Sequence, residues 1–192
     1  MFWFGTRKRA RELFDRGRHL QKDFPREASY LLAQSAALVP SQRTYLYLGA
    51  CLEGLGDLEL AADAYSNAKM AGIAEPNHNT GVALNQQARL RIKQGHFEIA
   101  EKLARDALVF LTSEKPDAIA DARLTHGITL WRLGRESEAQ TEFEWVLTNS
   151  NNTEMQRLAR SFQFTANITE KARGGLDSLL EHIEFLRDGN LT

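Results

Sequence analysis

The stretch RTYLYLGACLEGLGDLELAADAYSNAKM, Arg43 to Met70, decides the fold. It reads as two short helices folded back on each other. Leu48-Gly49 sits inside the first helix, Gly56-Asp57 makes the turn, and Ala61, Tyr65 and Ala68 share one face of the second. A hairpin this short cannot bury its apolar face alone and needs copies stacked beside it. The chain supplies them. Gly56, Gly95 and Gly134 recur every 39 residues, and so do Ala61, Ala100 and Ala139. Ala68, Ala107 and Val146 form a third column, all small or apolar. Gly49, Ala88 and Gly127 form a fourth, all small, where one helix must come close to its partner. Each turn glycine falls where a helical pattern stops and suits the left-handed conformation favoured there.

These columns resemble the tetratricopeptide repeat, or TPR, whose pattern is W-x2-L-G-x2-Y, then A-x3-F, then P, over about 34 residues. The second repeat has Tyr45-x2-Leu48-Gly49-x2-Leu52 and Ala61-x3-Tyr65. The fourth has Arg123-x2-His126-Gly127-x2-Leu130 and Ala139-x3-Phe143. The third is looser, with Leu84-x2-Gln87-Ala88-x2-Arg91 and Ala100-x3-Ala104. The first half-matches, with Ala28-x3-Leu32 and Pro40. The match covers Arg9 to Leu147. It implies an all-α, right-handed solenoid of about five stacked hairpins forming one domain over 1–192. Residues 1–41 are the N-terminal cap and first repeat, 42–79, 80–116 and 117–152 the core repeats, and 153–192 the C-terminal capping helices. The longer period places about five extra residues in each connection, near Ile73–Asn79 and Leu111–Pro116.

Helical spacing predicts a first helix from Thr6 to Lys22 with Ala10, Leu13, Phe14, Gly17 and Leu20 inward, and a second from Pro25 to Val39. Ser41 is the expected N-cap of the third helix and Asp57 that of the fourth, through its carboxylate. Helices five to eight are expected at Thr80–Gln94, His96–Leu111, Pro116–Leu133 and Arg135–Thr148. Leu58 and Phe97 follow two of the turns, but Glu136 follows the third, so the fourth hairpin's start is expected to pack less well. Thr153 and Gln156 have capping-box spacing for a ninth helix to Lys171. Gly174-Gly175 breaks it, and Leu176, Leu179, Leu180, Ile183 and Leu186 line a tenth. That last segment reads either as a cap or as a helix docking on a neighbouring chain in a homodimer.

Chain-wide properties narrow the function. The 192 residues carry a net charge of −1, which disfavours nucleic acid, whose phosphates need a basic surface. The single cysteine, Cys51, is expected in a core and cannot form an internal disulfide, which fits a reducing, cytoplasmic setting. No apolar run approaches the roughly 18–20 residues that span a bilayer. Asn151-Asn152-Thr153, Asn167-Ile168-Thr169 and Asn190-Leu191-Thr192 are glycosylation-type triplets read as chance, with no secretory leader pattern ahead of them. MFWFG at 1–5 and RKRAR at 7–11 have two readings. The aromatics cover the solenoid's open end, or Phe2, Trp3 and Phe4 enter a membrane interface while Arg7, Lys8, Arg9 and Arg11 meet anionic lipid. The same stretch is compatible with the remnant of a removed upstream anchor.

Residues for catalysis are missing from the pattern. There is no G-x-S-x-G elbow, no phosphate loop and no H-E-x-x-H pair. His19, His78, His96, His126 and His182 have no metal spacing, and no cofactor is implied. His126 stands in a core column. Glu98 with Glu101, and Glu136 with Glu138, read as solvated acids. The chain is therefore expected not to be an enzyme. The TPR resemblance implies peptide binding along a concave groove lined by the first helix of each hairpin. Carried onto this chain, the groove positions are Leu46, Tyr47 and Ala50, then Asn85, Arg89 and Lys93, then Leu124, Ile128, Trp131 and Arg132. Asn85, Arg89 and Lys93 form one stripe able to hold a ligand carboxylate or carbonyls, or a simple solvated face. Leu46 and Ala50 replace the Lys and Asn that grip C-terminal carboxylates in one TPR subclass, which disfavours that subclass. Trp131 reads as a binding anchor or as packing against the ninth helix. The chain is therefore expected to be a scaffold or adaptor that holds a peptide or helical segment of a partner protein in this groove; the alternative is that the chain is itself a peripheral membrane assembly factor attached through its aromatic and basic N-terminus.

Overall fold

A computed structural model describes residues 2–72, 77–111 and 115–167. It contains α1 (Phe2–Leu20), α2 (Pro25–Leu38), α3 (Gln42–Gly54), α4 (Leu58–Ala71), α5 (His78–Lys93), α6 (Phe97–Phe110), α7 (Pro116–Arg132) and α8 (Glu136–Asn149). A ninth helix, α9, covers 153–167, and there is no strand among the described residues. The predicted tenth helix, its Gly174-Gly175 break and the end of the ninth lie outside the described residues.

The helices pair as α1/α2, α3/α4, α5/α6 and α7/α8, and each second helix packs on the next first helix. The first helices also touch along one side, α3 with α5 and α5 with α7. The architecture is thus the all-α solenoid, with contacts passing from neighbour to neighbour.

The turns explain the glycine column. Gly56, Gly95 and Gly134 have φ of +84°, +78° and +75°. In each, the next amide reaches back five residues: Asp57 N to Leu52 O, His96 N to Arg91 O and Arg135 N to Leu130 O, all 2.9 Å. The glycine's own amide reaches back three. This is a Schellman stop, which satisfies two orphan carbonyls and needs a residue that tolerates positive φ.

The small-residue column explains how paired helices meet. A Cβ at Gly49 would lie 2.5 Å from the Tyr65 ring, and one at Gly127 would lie 2.7 Å from Phe143. Each large side chain of the second helix fills the space left open on the first. Tyr65 and Phe143 are fully buried as a result. The middle hairpin solves the same contact differently, with Ala88 and Ala104, both fully buried. In the first hairpin Gly17 faces Leu32.

Several local expectations are refined. Helix α1 begins at Phe2, not Thr6, so the aromatics at 2–4 belong to its first turn. Ser41 caps α3 as expected, accepting from Thr44 N at 3.1 Å. Asp57 occupies the N-cap of α4, but its carboxylate caps nothing there. Helix α5 is capped by Asn77, with Thr80 completing a reciprocal box. The cap of α9 is Asn152, which accepts from Glu154 N and Met155 N at 3.0 and 3.1 Å. The Thr153/Gln156 box does not form, because Gln156 instead donates to Ser150 O at 2.7 Å. The expected connections lie partly outside the described residues. Some of the extra length is helix: α5 and α7 have 16 and 17 residues against 13 in α3.

Cys51 is 1% exposed and packs with Ala28 and Leu32. Burial pushes its thiol up to about 11 from 9.0. Thiolate is the reactive form, so two units imply roughly 100-fold less of it at neutral pH. Native protein at pH 8 is expected to react with a chromogenic disulfide at least that much more slowly than urea-unfolded protein. Fast stoichiometric labelling in buffer would contradict the buried placement.

Candidate functional site: the inner wall

The side formed by the first helices carries most of the sequence-predicted site. Asn85, on α5, is buried and donates through Nδ2 to Asp121 Oδ2 on α7 at 2.7 Å. Arg89, one turn further, lies 3.8 Å from the same carboxylate. Lys93, another turn on, reaches the other way and donates to Glu53 Oε1 on α3 at 2.6 Å. Glu53 Oε2 also accepts from the Tyr65 hydroxyl at 3.1 Å. The stripe is therefore not a bare row of cations. Its charges are tied into rungs that link α3 to α5 and α5 to α7. Burial pushes the Asp121 carboxyl above the ordinary range, against the lowering pull of Arg89 and Asn85. Burial likewise raises the Tyr65 phenol, and the adjacent Glu53 adds to it.

The apolar members divide. Leu46 packs onto the Tyr65–Leu90 cluster. Tyr47 meets Phe14 edge-to-face with centroids 5.5 Å apart, so it joins the second hairpin to the first. Leu124 is buried in the fourth hairpin's core, with Ile128 beside it. Trp131 packs against Phe162 of α9, centroids 5.8 Å apart, which matches the packing alternative. Arg132 is exposed, with its guanidinium over the Phe97 ring at 5.2 Å and the Trp131 ring at 5.6 Å. Ala50, Arg89, Lys93, Ile128 and Arg132 keep partial access to solvent along the wall.

Glu53 and Asp121 were not among the predicted residues. Their signal was present: opposite or hydrogen-bonding types one repeat apart, give or take a turn. Lys93 lies 40 residues from Glu53 and Asn85 lies 36 from Asp121. Beyond the rungs, a cleft of about 330 Å³ opens where α1, the end of α2 and the start of α3 meet, lined by Arg7, Arg11, Phe14, Val39 and Thr44 among others. Arg43 stacks on Phe14 at its edge, 5.1 Å from the centroid.

A second polar cluster overturns the solvated reading of two acids. Glu101 and Glu136 are 9% and 8% exposed. Glu136 is thus taken into the packing at the start of α8. His126 lies between helices, with Nδ1 3.0 Å from Glu142 Oε1 on α8 and Nε2 3.6 Å from Glu101 Oε1 on α6. Arg123 donates to Glu142 Oε2 at 2.8 Å, and Arg105 and Arg135 face Glu101 at 3.3 and 3.6 Å. The fourth repeat puts His126 where the TPR pattern has Leu, and polar neighbours on both sides accommodate it.

Burial alone would raise the Glu142 carboxyl, but hydrogen bonds from His126 and Arg123 outweigh it and hold the group below its ordinary range. A carboxyl lowered by folding contributes stability that is complete above its unfolded value, about 4.3, and is lost as pH falls through its folded value. The urea midpoint is expected to drop on acidification below about pH 5. In Glu142→Gln that drop should be shallower. An equal slope in both proteins would place the acid sensitivity elsewhere.

Among the described residues no three His, Cys, Asp or Glu side chains converge as metal ligands, and no helix is long and apolar enough to cross a membrane.

No family model matches the chain, and no curated protein matches it in sequence. Solved structures do match in fold. A kinesin-light-chain-type protein of Podosopora anserina with nearly identical TPR-like repeats superposes with a TM-score of 0.66 at 16% identity, covering 97% of this chain and 99% of that one. A single-substitution variant of that protein gives 0.67. MamA of AMB-1 gives 0.58 at 19% identity, with 92% of each chain covered. The fold is that of a TPR-like right-handed α-solenoid, as the repeat columns imply.

Proposed function

We propose that the chain is a protein–protein interaction scaffold that holds a peptide or helical segment of a partner along the inner wall of α3, α5 and α7. The observation that supports this reading is the rung system. Lys93 is hydrogen-bonded to Glu53 and Arg89 is held 3.8 Å from Asp121, yet their side chains remain 47% and 42% exposed. Their spare donors can meet a guest's carbonyls or carboxylates without the cost of ordering long side chains. Ala50 and Ile128 flank them with partly open apolar surface. A scaffold needs no catalytic group, and none is assigned.

Cross-linking of the native protein with whatever co-purifies tests the reading, together with Ala50→Arg and Arg89→Glu, which alter the wall and spare the core. Cross-links on α3, α5 and α7, and at least a tenfold loss of recovery in both variants, are expected. Unchanged recovery in both would count against the wall.

A second reading is a peripheral membrane assembly factor, and one observation favours it. Phe4 is 87% exposed, so it does not cover the solenoid's end. Arg7, Lys8, Arg9 and Arg11 are exposed on the same helix. Flotation with vesicles rich in phosphatidylserine, comparing the native chain with Arg7→Glu/Lys8→Glu/Arg9→Glu, decides it. No flotation of the native chain removes the reading.

A further inference from the structure

The second helices carry an outer face that the inner-wall reading does not use. On α4, Leu60 and Met70 are 56% and 53% exposed, and on α6, Ile99 and Val109 are 52% and 75% exposed. Isolated surface apolar residues are ordinary, but these are not scattered. Ile99 follows Leu60 by one 39-residue period, and Val109 follows Met70 by the same period. In the flanking hairpins the Leu60 register is held by Glu27 and Glu138. The Leu60 row is therefore apolar only at the middle of the outer surface, and the Met70 row ends in the small Ala37 and the polar Thr148. Between the rows lies a charged one. Asp63 on α4 and Lys102 on α6 are both exposed, again one period apart and opposite in sign. Neither makes a hydrogen bond or ion pair among the described residues.

We propose that this face binds a second copy of the chain, outer face to outer face, about a two-fold axis parallel to α4 and α6. That operation sets α4 against the partner's α6 at equal height. Leu60 then meets Ile99 of the partner subunit, Met70 meets Val109 of the partner subunit, and Asp63 meets Lys102 of the partner subunit. Each contact occurs twice, as an isologous interface requires. Two convex surfaces can touch only at their middles, where Leu60, Met70, Ile99 and Val109 lie. Glu59 and Glu98 face each other under the same operation and weaken the contact at its rim. A patch this narrow falls below a standard interface, so the dimer is a dissociable one. The inference stands apart from the groove reading, because the two faces share no residue.

Sedimentation velocity on the full chain tests it. The native protein is expected to pass from dimer to monomer on dilution from about 100 μM to about 1 μM. Asp63→Lys and Lys102→Asp should each raise the dissociation constant at least tenfold. The double swap Asp63→Lys/Lys102→Asp should restore it to within about threefold of native. All these positions are exposed, so far-ultraviolet circular dichroism should be unchanged. A native chain that stays monomeric at 100 μM overturns the proposal. So does a dimer insensitive to all three variants, or single-variant losses that the swap does not restore.

Discussion

Phe143→Ala is expected to lower the unfolding free energy by about 3–5 kcal/mol, the range for truncating a buried aromatic side chain. Phe143 is fully buried, stacks near Phe162 at 6.0 Å between centroids, and fills the space that Gly127 leaves on α7. Its loss removes the contacts by which α8 holds both α7 and α9, so α7–α9 should melt ahead of the rest in urea. The glycine opposite gives the result a sharper form. Gly127→Ala alone forces a methyl into the ring and should cost about 1–3 kcal/mol. In the double variant the methyl enters the cavity that Phe143→Ala opens, and the loss should fall short of the sum by about 1 kcal/mol. The middle hairpin already holds that pair, as Ala88 and Ala104. Strict additivity would mean that the two positions do not share one space.

Trp131→Ala is expected to cost about 2–3 kcal/mol, somewhat less than a fully buried aromatic because Trp131 is only half-buried. The larger consequence is local. Trp131 and Phe162 are the aromatic contact between α7 and α9, so limited proteolysis should cut within 153–167 in the variant well before the native chain. Equal cleavage rates would place α9 under the control of other contacts. A loss of partner binding in this variant is thus first a loss of α9, and it says little about the wall. Arg89→Glu is the cleaner probe.

The hairpins were legible because one period governs three separate needs. The turn needs a residue that tolerates positive φ, the close approach needs a small one, and the opposite helix needs a large one. Gly95 and Ala88 satisfy two of these even in the loosest repeat. The site was legible in position and less so in state. Asn85, Arg89 and Lys93 fall on the inner helix as the spacing requires, but helical periodicity within one segment does not show what the adjacent segment brings. Asp121 and Glu53 arrive from neighbouring repeats and turn a basic stripe into rungs. Glu101 was misread for the same reason. On α6 alone it looks solvated, and only the arrival of α7 with His126 covers it. Asp57 stands where a cap belongs, yet the Schellman stop beside it places the chain so that its carboxylate reaches no amide of α4.

Among the described residues, the main contacts run from each pair of helices to the next and leave the molecule without a keystone. Its length is then a free variable: the surface that α4 presents to α5 and the one that α6 presents to α7 are built on the same columns, so a whole unit can be spliced in or out and the cut ends still mate. Such a body grows or shortens like a stack of saucers, changing its reach without redesigning any single piece.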